Sequence, residues 1–232
     1  MLEVNTPVTR SAAEFGFSIQ QINKYAREFM AVNNLVPILN LSEYTFRPKD
    51  LTSPQAMNFA CDPDFDAYAG GAERTNLPDM GRLRTCGGHV HVGGDFKCPD
   101  WVAVLFFELG LYTQYGSEYV CPSTTLRKNW YGRPGTFRPK PYGIEYRTMG
   151  NWWSYSRSSA EDVGSTFFRT GTWLINTPSQ IIQASFRKIQ WSLLQKVLLL
   201  DYKNEEDVID IKTLKKDRRD LMHSVSQARM GI

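Results

Sequence analysis

The sequence predicts an α+β domain in which a sheet of short strands carries a polar functional face and helices cover the other side. Three observations predict it. Short stretches with one polar pair at i and i+2 recur three times: Glu3 and Asn5 in Leu2-Glu-Val-Asn5, His89 and His91 in Arg84-Thr-Cys-Gly-Gly-His-Val-His-Val-Gly-Gly94, and Glu145 and Arg147 in Ile144-Glu-Tyr-Arg147. A period of two is that of a strand, so each pair projects to one side and its apolar neighbours to the other. Stretches with helical apolar stripes lie between and after these short runs. A solvated sheet surface would show the same alternation. The threefold recurrence favours a site.

Length and composition set the frame. The chain has 232 residues, 42% hydrophobic and 22% charged, which is ordinary for a globular protein and sufficient for one domain spanning 1–232. A net charge of +3 gives no bulk electrostatic ground for nucleic acid. No apolar run approaches the ~20 residues of a membrane span, and no basic-then-apolar leader opens the chain. The expectation is a cytoplasmic protein with no membrane partner. Cys61, Cys86, Cys98 and Cys121 are widely spaced without a C-x-x-C. They read as free thiols rather than a disulfide framework.

Along the chain, Ser11 to about Asn33 reads as a helix. Ser11 is placed to cap it, Glu14 stands three residues on as in a capping box, and Phe15, Ile19, Ile22, Ala26, Phe29 and Met30 form its apolar stripe. Val36 to Leu41 reads as a strand. Glu43 to Met80 is the least regular part and contains the turn-like Ala69-Gly-Gly-Ala72. Asp100 is placed to cap a helix that runs to about Tyr115. A loop rich in arginine and glycine, 126–141, leads into the Glu145 strand. Ser159 with Asp162 opens a further helix, Thr177-Pro-Ser179 breaks it, and one long apolar helix follows from about Gln180 to Leu200. A charged helical segment, 201–232, ends the chain. Trp130-Tyr131 and Trp152-Trp153 can stack a base or sugar, or pack behind the sheet.

The chemistry lies in the polar pairs and the arginines. A zinc or iron site on His-x-His needs further nitrogen, sulfur or carboxylate ligands. The only third histidine, His223, sits in the charged C-terminal segment, and Cys86 and Cys98 fit no common zinc spacing. Glu3, His89 and Glu145 instead form a hard set suited to Mg²⁺ or Mn²⁺, which keep water and bind phosphate oxygens. Arg127, Lys128, Arg133, Arg138 and Arg147 cluster in and beyond the loop before the Glu145 strand. Guanidinium forks match phosphate oxygens, so the cluster reads as a polyphosphate clamp or, alternatively, as a solvated basic patch. No P-loop or dinucleotide fingerprint is present.

Four motifs also carry a resemblance: Cys61-Asp-Pro-Asp-Phe65, Arg84-Thr-Cys-Gly-Gly-His-Val-His-Val-Gly93, Tyr131-Gly-Arg-Pro-Gly-Thr-Phe-Arg138 and Tyr142-Gly-Ile-Glu-Tyr-Arg-Thr148. Over 1–153 the chain resembles the phage-encoded carboxylate–amine ligases of the glutamine synthetase and glutamate–cysteine ligase superfamily. The resemblance implies that superfamily's curved, mainly antiparallel active-site sheet, covered by helices on its outer face, with ATP and Mg²⁺ (or Mn²⁺) as cofactors and an acyl phosphate as the intermediate in forming an amide bond. It implies that His89, Glu145 and Glu3 hold metal, and that Arg147 contacts the transferred phosphate. Arg133 and Arg138 would bind nucleotide phosphates, with Arg127 and Lys128 beside them. Arg84 is the candidate for the substrate carboxylate, and His91, Asp62, Asp64 and Asn5 are candidates for substrate contacts. The substrates would be a small-molecule or peptide carboxylate and an amine. Oligomeric assembly stays open. A phage-encoded member would act in the host cytoplasm.

The resemblance also implies an earlier strand with an acidic motif, and here Met1 falls almost on the Glu3 strand. The expectation is therefore a ligase lacking its N-terminal segment, completed by a second polypeptide or catalytically silent and kept as an interaction module. An exposed sheet edge would be open to pairing. A metal enzyme built on His-x-His is the third alternative.

Overall fold

The computed structural model describes residues 3–36, 42–54, 64–74, 81–116, 127, 132–200 and 211–228. Among these are six α-helices and seven short strands. The strands are β1 (Glu43–Thr45), β2 (Asp64–Asp66), β3 (Ala72–Arg74), β4 (Leu83–Thr85), β5 (Val90–Gly93), β6 (Thr136–Lys140) and β7 (Gly143–Tyr146). The helices are α1 (Ala12–Val32), α2 (Asp100–Tyr115), α3 (Arg157–Asn176), α4 (Ser179–Lys188), α5 (Trp191–Leu200) and α6 (Ile211–Ala228). The α+β class expected from the sequence is what forms.

Two antiparallel sheets result, a two-stranded pair β1–β4 and a five-stranded sheet in the order β3-β2-β6-β7-β5. In the larger sheet Phe65 faces Phe137, Phe137 faces Tyr146 and Tyr146 faces Val90. That row is apolar and packs on the helices. The adjacent row carries Arg138 opposite Glu145 and Glu145 opposite His91. The period-two reading of the His and Glu145 stretches is thus realised: Val90 is buried and His91 exposed. Among the described residues β2 pairs with β6 only at Phe137 and Thr136, so no described ladder partner calls on the N–H that Pro139 lacks.

The helix behind the sheet is α2. Every residue from Val102 to Tyr112 is buried, so it is apolar all round rather than amphipathic. Its aromatic contacts join it to the outer helices: Phe106 meets Trp173 edge-on at 5.1 Å and Trp191 at 5.4 Å, and Phe107 lies 5.1 Å from Phe167. Each such ring removed from water contributes on the order of 1.5–3 kcal/mol. The first helix follows its sequence signals. Ser11 Oγ accepts from the Glu14 N–H at 3.2 Å, and the Glu14 carboxylate accepts from the Arg10 N–H at 2.7 Å. It packs along α3, where Gly16 lets Glu161 and the Arg157 carbonyl approach closely.

Several expectations are corrected. Residues 3–9 lie in no strand, and Glu3 and Asn5 are exposed; the five-stranded sheet takes β2 and β6 in place of the expected N-terminal strand. Asp100 is the first residue of α2, with Pro99 at the cap. Helix α3 starts at Arg157 because Ser156, not Ser159, caps it, accepting from the Ser159 N–H at 3.1 Å. The long helix over 180–200 is two helices. The break at Ile189 lets Phe186 and Trp191 stack 4.9 Å apart, with the Trp191 indole N–H on the Phe186 carbonyl and the Gln190 N–H on Ser224 Oγ. The strand expected at 36–41 and the residues Asp62, Lys128, Trp130 and Tyr131 lie outside the described residues, apart from Val36, which is in no strand.

Candidate functional site

The outward row of the five-stranded sheet gathers charge. Asp64 on β2, Arg138 and Lys140 on β6, Glu145 on β7, Arg147 just beyond it and His89 just before β5 form one connected group. The period-two pleat places them together, since Arg138 and Lys140, Glu145 and Arg147, and His89 and His91 each differ by two. Asp64 Oδ1 forms ion pairs with Arg138 Nε and Arg147 Nε, each at 3.0 Å. Glu145 Oε2 accepts from Lys140 Nζ at 2.9 Å, and Oε1 accepts from Arg147 Nη1. His89 Nδ1 lies 3.3 Å from Glu145 Oε1 and 3.1 Å from Arg147 Nη1.

Asp64, Glu145 and Arg147 are all at most 4% exposed. Burial alone pushes the Glu145 carboxyl up, but the His89 hydrogen bond and the Lys140 ammonium override it and hold it at about 2. Burial pushes the His89 imidazole down, assisted by the Arg147 charge and opposed by Glu145. Burial also lowers His91, against Glu145 and with Lys140. Both imidazoles are therefore neutral at neutral pH. His91 Nδ1 is 2.5 Å from the Tyr142 hydroxyl, and the two rings stack.

The arginines separate into different roles. Arg127, expected at a phosphate, is fully buried. It donates from Nε to the Cys86 carbonyl at 3.0 Å, from Nη1 to Thr148 at 2.9 Å and from Nη2 to Arg147 at 3.4 Å. Its backbone N–H donates to Glu43 at 2.8 Å. It ties the loop before β5 to the end of β7, a structural task that corrects the clamp assignment. Gly87 and Gly132 make room for it, because a Cβ at either would come within 2.6 Å of the guanidinium. Arg84 lies on β4 of the separate pair, and its Nη1 donates to the carbonyls of Gly81 and Leu83 at 2.9 and 2.7 Å. Arg133 is exposed on the turn before β6. Arg138 and Arg147 alone of the described arginine candidates join the carboxylates.

Among the described residues no three His, Cys, Asp or Glu side chains converge into a metal-sized group. Glu3 therefore does not complete a set with His89 and Glu145. Cys86 and Cys98 are in no disulfide, and burial raises both thiols, Cys98 to about 12, so neither supplies a ready thiolate.

Two participants lacked a sequence assignment. Lys140 is found by carrying the period-two rule one step past Arg138. Glu108 is a fully buried carboxylate on α2, behind the sheet. It accepts from the Gly135 N–H at 2.9 Å, the Tyr146 hydroxyl at 2.8 Å and the Tyr68 hydroxyl at 3.1 Å. A lone carboxylate in an otherwise apolar helix is the signal that marks it.

No family model, curated protein or solved structure matches the chain. No helix of the described residues is long and apolar enough to cross a membrane.

Proposed function

We propose that this face is the phosphoryl-transfer site of an ATP- and Mg²⁺-dependent carboxylate–amine ligase of the glutamine synthetase and glutamate–cysteine ligase kind. The observation that supports the reading is the convergence of His89, Glu145, Arg147 and Arg138 on one sheet face whose reverse packs on the core. A phosphoryl group in transfer spreads charge over its oxygens and needs positioning and neutralisation more than covalent chemistry. Arg138 and Arg147 supply fixed guanidinium groups for this, with Lys140 beside them.

Glu145 and His89 are the residues that would hold a divalent ion. A carboxylate and one imidazole are suitable donors for Mg²⁺ or Mn²⁺, with water and phosphate oxygens completing the shell. A bound ion would supply Lewis-acid polarisation of the γ-phosphate. A substrate carboxylate oxygen attacks the γ-phosphorus and ADP leaves; an amine nitrogen then attacks the acyl carbon and phosphate leaves with the bonding electrons. In this reading the exposed Arg133 would contact outer phosphates, and His91 with Tyr142 a substrate group.

One observation favours a second reading, a catalytically silent interaction module: Asp64 and Glu145 are already neutralised by Arg138, Lys140 and Arg147. Incubation with ATP, Mg²⁺, a panel of carboxylic acids and hydroxylamine separates the two. The ligase reading expects carboxylate-stimulated ADP release with a hydroxamate product, lost in Arg147→Met. No ADP release with any acid favours the silent module; ADP release that no carboxylate stimulates contradicts both readings.

A further inference from the structure

We infer that Lys140 is a resident counter-ion of Glu145 that has to withdraw before a divalent cation binds there, so that metal and polyphosphate enter the site together. The inference rests on Glu145 acting as a metal ligand, as proposed above.

Both oxygens of Glu145 are already matched with protein cations, Oε1 with Arg147 and Oε2 with Lys140 at 2.9 Å. Three cations, Arg138, Lys140 and Arg147, face two carboxylates, Asp64 and Glu145. The group therefore carries an excess of positive charge, which repels a bare divalent ion and attracts an anion. The two cations on Glu145 differ in their freedom. Arg147 is 2% exposed and is also held by Asp64. Lys140 is only partly buried, and its side chain borders a cleft of about 540 Å³ also lined by Asp95, Phe96, Asp100 and Tyr142.

The backbone prepares this arrangement. Lys140 stands opposite Gly143 in the β6–β7 ladder. Gly143 has φ +145, and a Cβ there would meet the Val92 carbonyl oxygen at 2.2 Å. Glycine is thus required, and with no side chain beside it Lys140 lies across to Glu145, two residues on. The cleft that Lys140 borders is also lined by Asp95 and Asp100, and phosphate oxygens entering it would offer the ammonium a second partner.

The lysine consequently couples two ligands. Metal alone competes with Lys140 for Glu145. Metal arriving with a polyphosphate does not, because the phosphate offers the ammonium a new partner. Such coupling is reciprocal: each ligand raises the affinity of the other by the same factor.

The test is binding of Mn²⁺ alone, followed by electron paramagnetic resonance and calorimetry, to the full chain and its variants. Lys140→Met, which keeps an unbranched side chain one atom shorter and removes the charge, is expected to bind Mn²⁺ at least about 10-fold more tightly than wild type. Lys140→Arg should behave as wild type, and adding Glu145→Gln to Lys140→Met should abolish the gain. Lys140→Gln repeats the experiment should the methionine variant fold poorly by circular dichroism. A non-hydrolysable ATP analogue should tighten Mn²⁺ binding in wild type more than in Lys140→Met. Equal Mn²⁺ affinity in wild type and both charge-removed variants overturns the inference. If no variant binds the analogue yet Lys140→Met gains Mn²⁺, the ligase reading falls and the lysine's role stands. Magnesium-dependent analogue binding without that gain means the reverse.

Discussion

Arg147 and Asp64 are joined at 3.0 Å, Nε to Oδ1, although Arg147 follows β7 and Asp64 lies on β2, and β7 and β2 are not neighbours. The guanidinium passes over β6 to reach β2, a span of roughly 9–10 Å at ordinary strand spacing. Arg138, on the strand beneath, shares the same carboxylate oxygen at 3.0 Å. The carboxylate therefore fastens three strands from the polar side while the aromatic row fastens them from the other. Removing it takes the shared counter-charge from a buried guanidinium, Arg147, and a partly buried one, Arg138. Asp64→Asn is expected to destabilise the fold by about 3 kcal/mol, read from urea unfolding. A cycle with Arg147→Met should return a coupling of about 1–3 kcal/mol; additive effects would mean the pair is incidental.

Stability should fall on the acid side, in two stages. His89 and His91 have folded values below their unfolded ones, so the unfolded chain takes up protons first as pH drops below about 6.5. Glu145 follows. Its carboxyl lies at about 2 in the fold against about 4.3 unfolded, a difference of up to ~3 kcal/mol that is present above the unfolded value and lost as pH falls toward the folded one. Thermal melts of wild type and Glu145→Gln across pH 3–8 check this. The variant should lose the lower stage and keep the upper one.

Arg127 was read from sequence as a phosphate ligand and is a buried brace. Arg127→Met is expected to cost about 3 kcal/mol of stability, because three strand-end carbonyls lose a charged donor. In whatever fraction remains folded, affinity for nucleotide or inorganic tripolyphosphate should be unchanged. A loss of affinity without a loss of stability would restore the phosphate role.

Glu108 behaves differently from the acid-side group. Burial raises its carboxyl, with Thr148, Gly135, Tyr146 and Tyr68 opposing the shift. Its folded value thus lies above the unfolded one, and the ionised form costs stability as pH rises through the folded value. Glu108→Gln keeps an acceptor oxygen and removes the charge, so it should change stability by no more than ~1 kcal/mol. Glu108→Ala leaves two tyrosine hydroxyls and the Gly135 N–H without that acceptor and should cost about 3–4 kcal/mol. Chemical unfolding at pH 7 of both variants distinguishes the two outcomes.

What was legible in the chain follows the range of the interactions involved. The α1 cap, the Gly70–Gly71 turn and the alternation around His89 and Glu145 depend on neighbours within four residues, and they formed as read. The strand around Glu3 did not form, because a polar alternating stretch gains strand structure only from a partner, and pairing is not written in the stretch itself. The break at Ile189 needed Phe186 and Trp191 to meet Phe106, a contact more than 70 residues distant in sequence. The same holds for the site. Glu145 and Arg147 were visible as a pair two apart, whereas Asp64 joined them only once β2 was placed beside β6. Arg127 misled because a guanidinium that binds carbonyls and one that binds phosphate look alike in sequence.

The central claim is that this sheet face binds a nucleotide with its metal. Calorimetric titration of a non-hydrolysable ATP analogue, with and without Mg²⁺, into wild type and Glu145→Gln tests it most directly. The account predicts binding that Mg²⁺ strengthens and that Glu145→Gln weakens at least 10-fold while the variant remains folded. Binding that is indifferent to both Mg²⁺ and Glu145, or no binding at all, would contradict it.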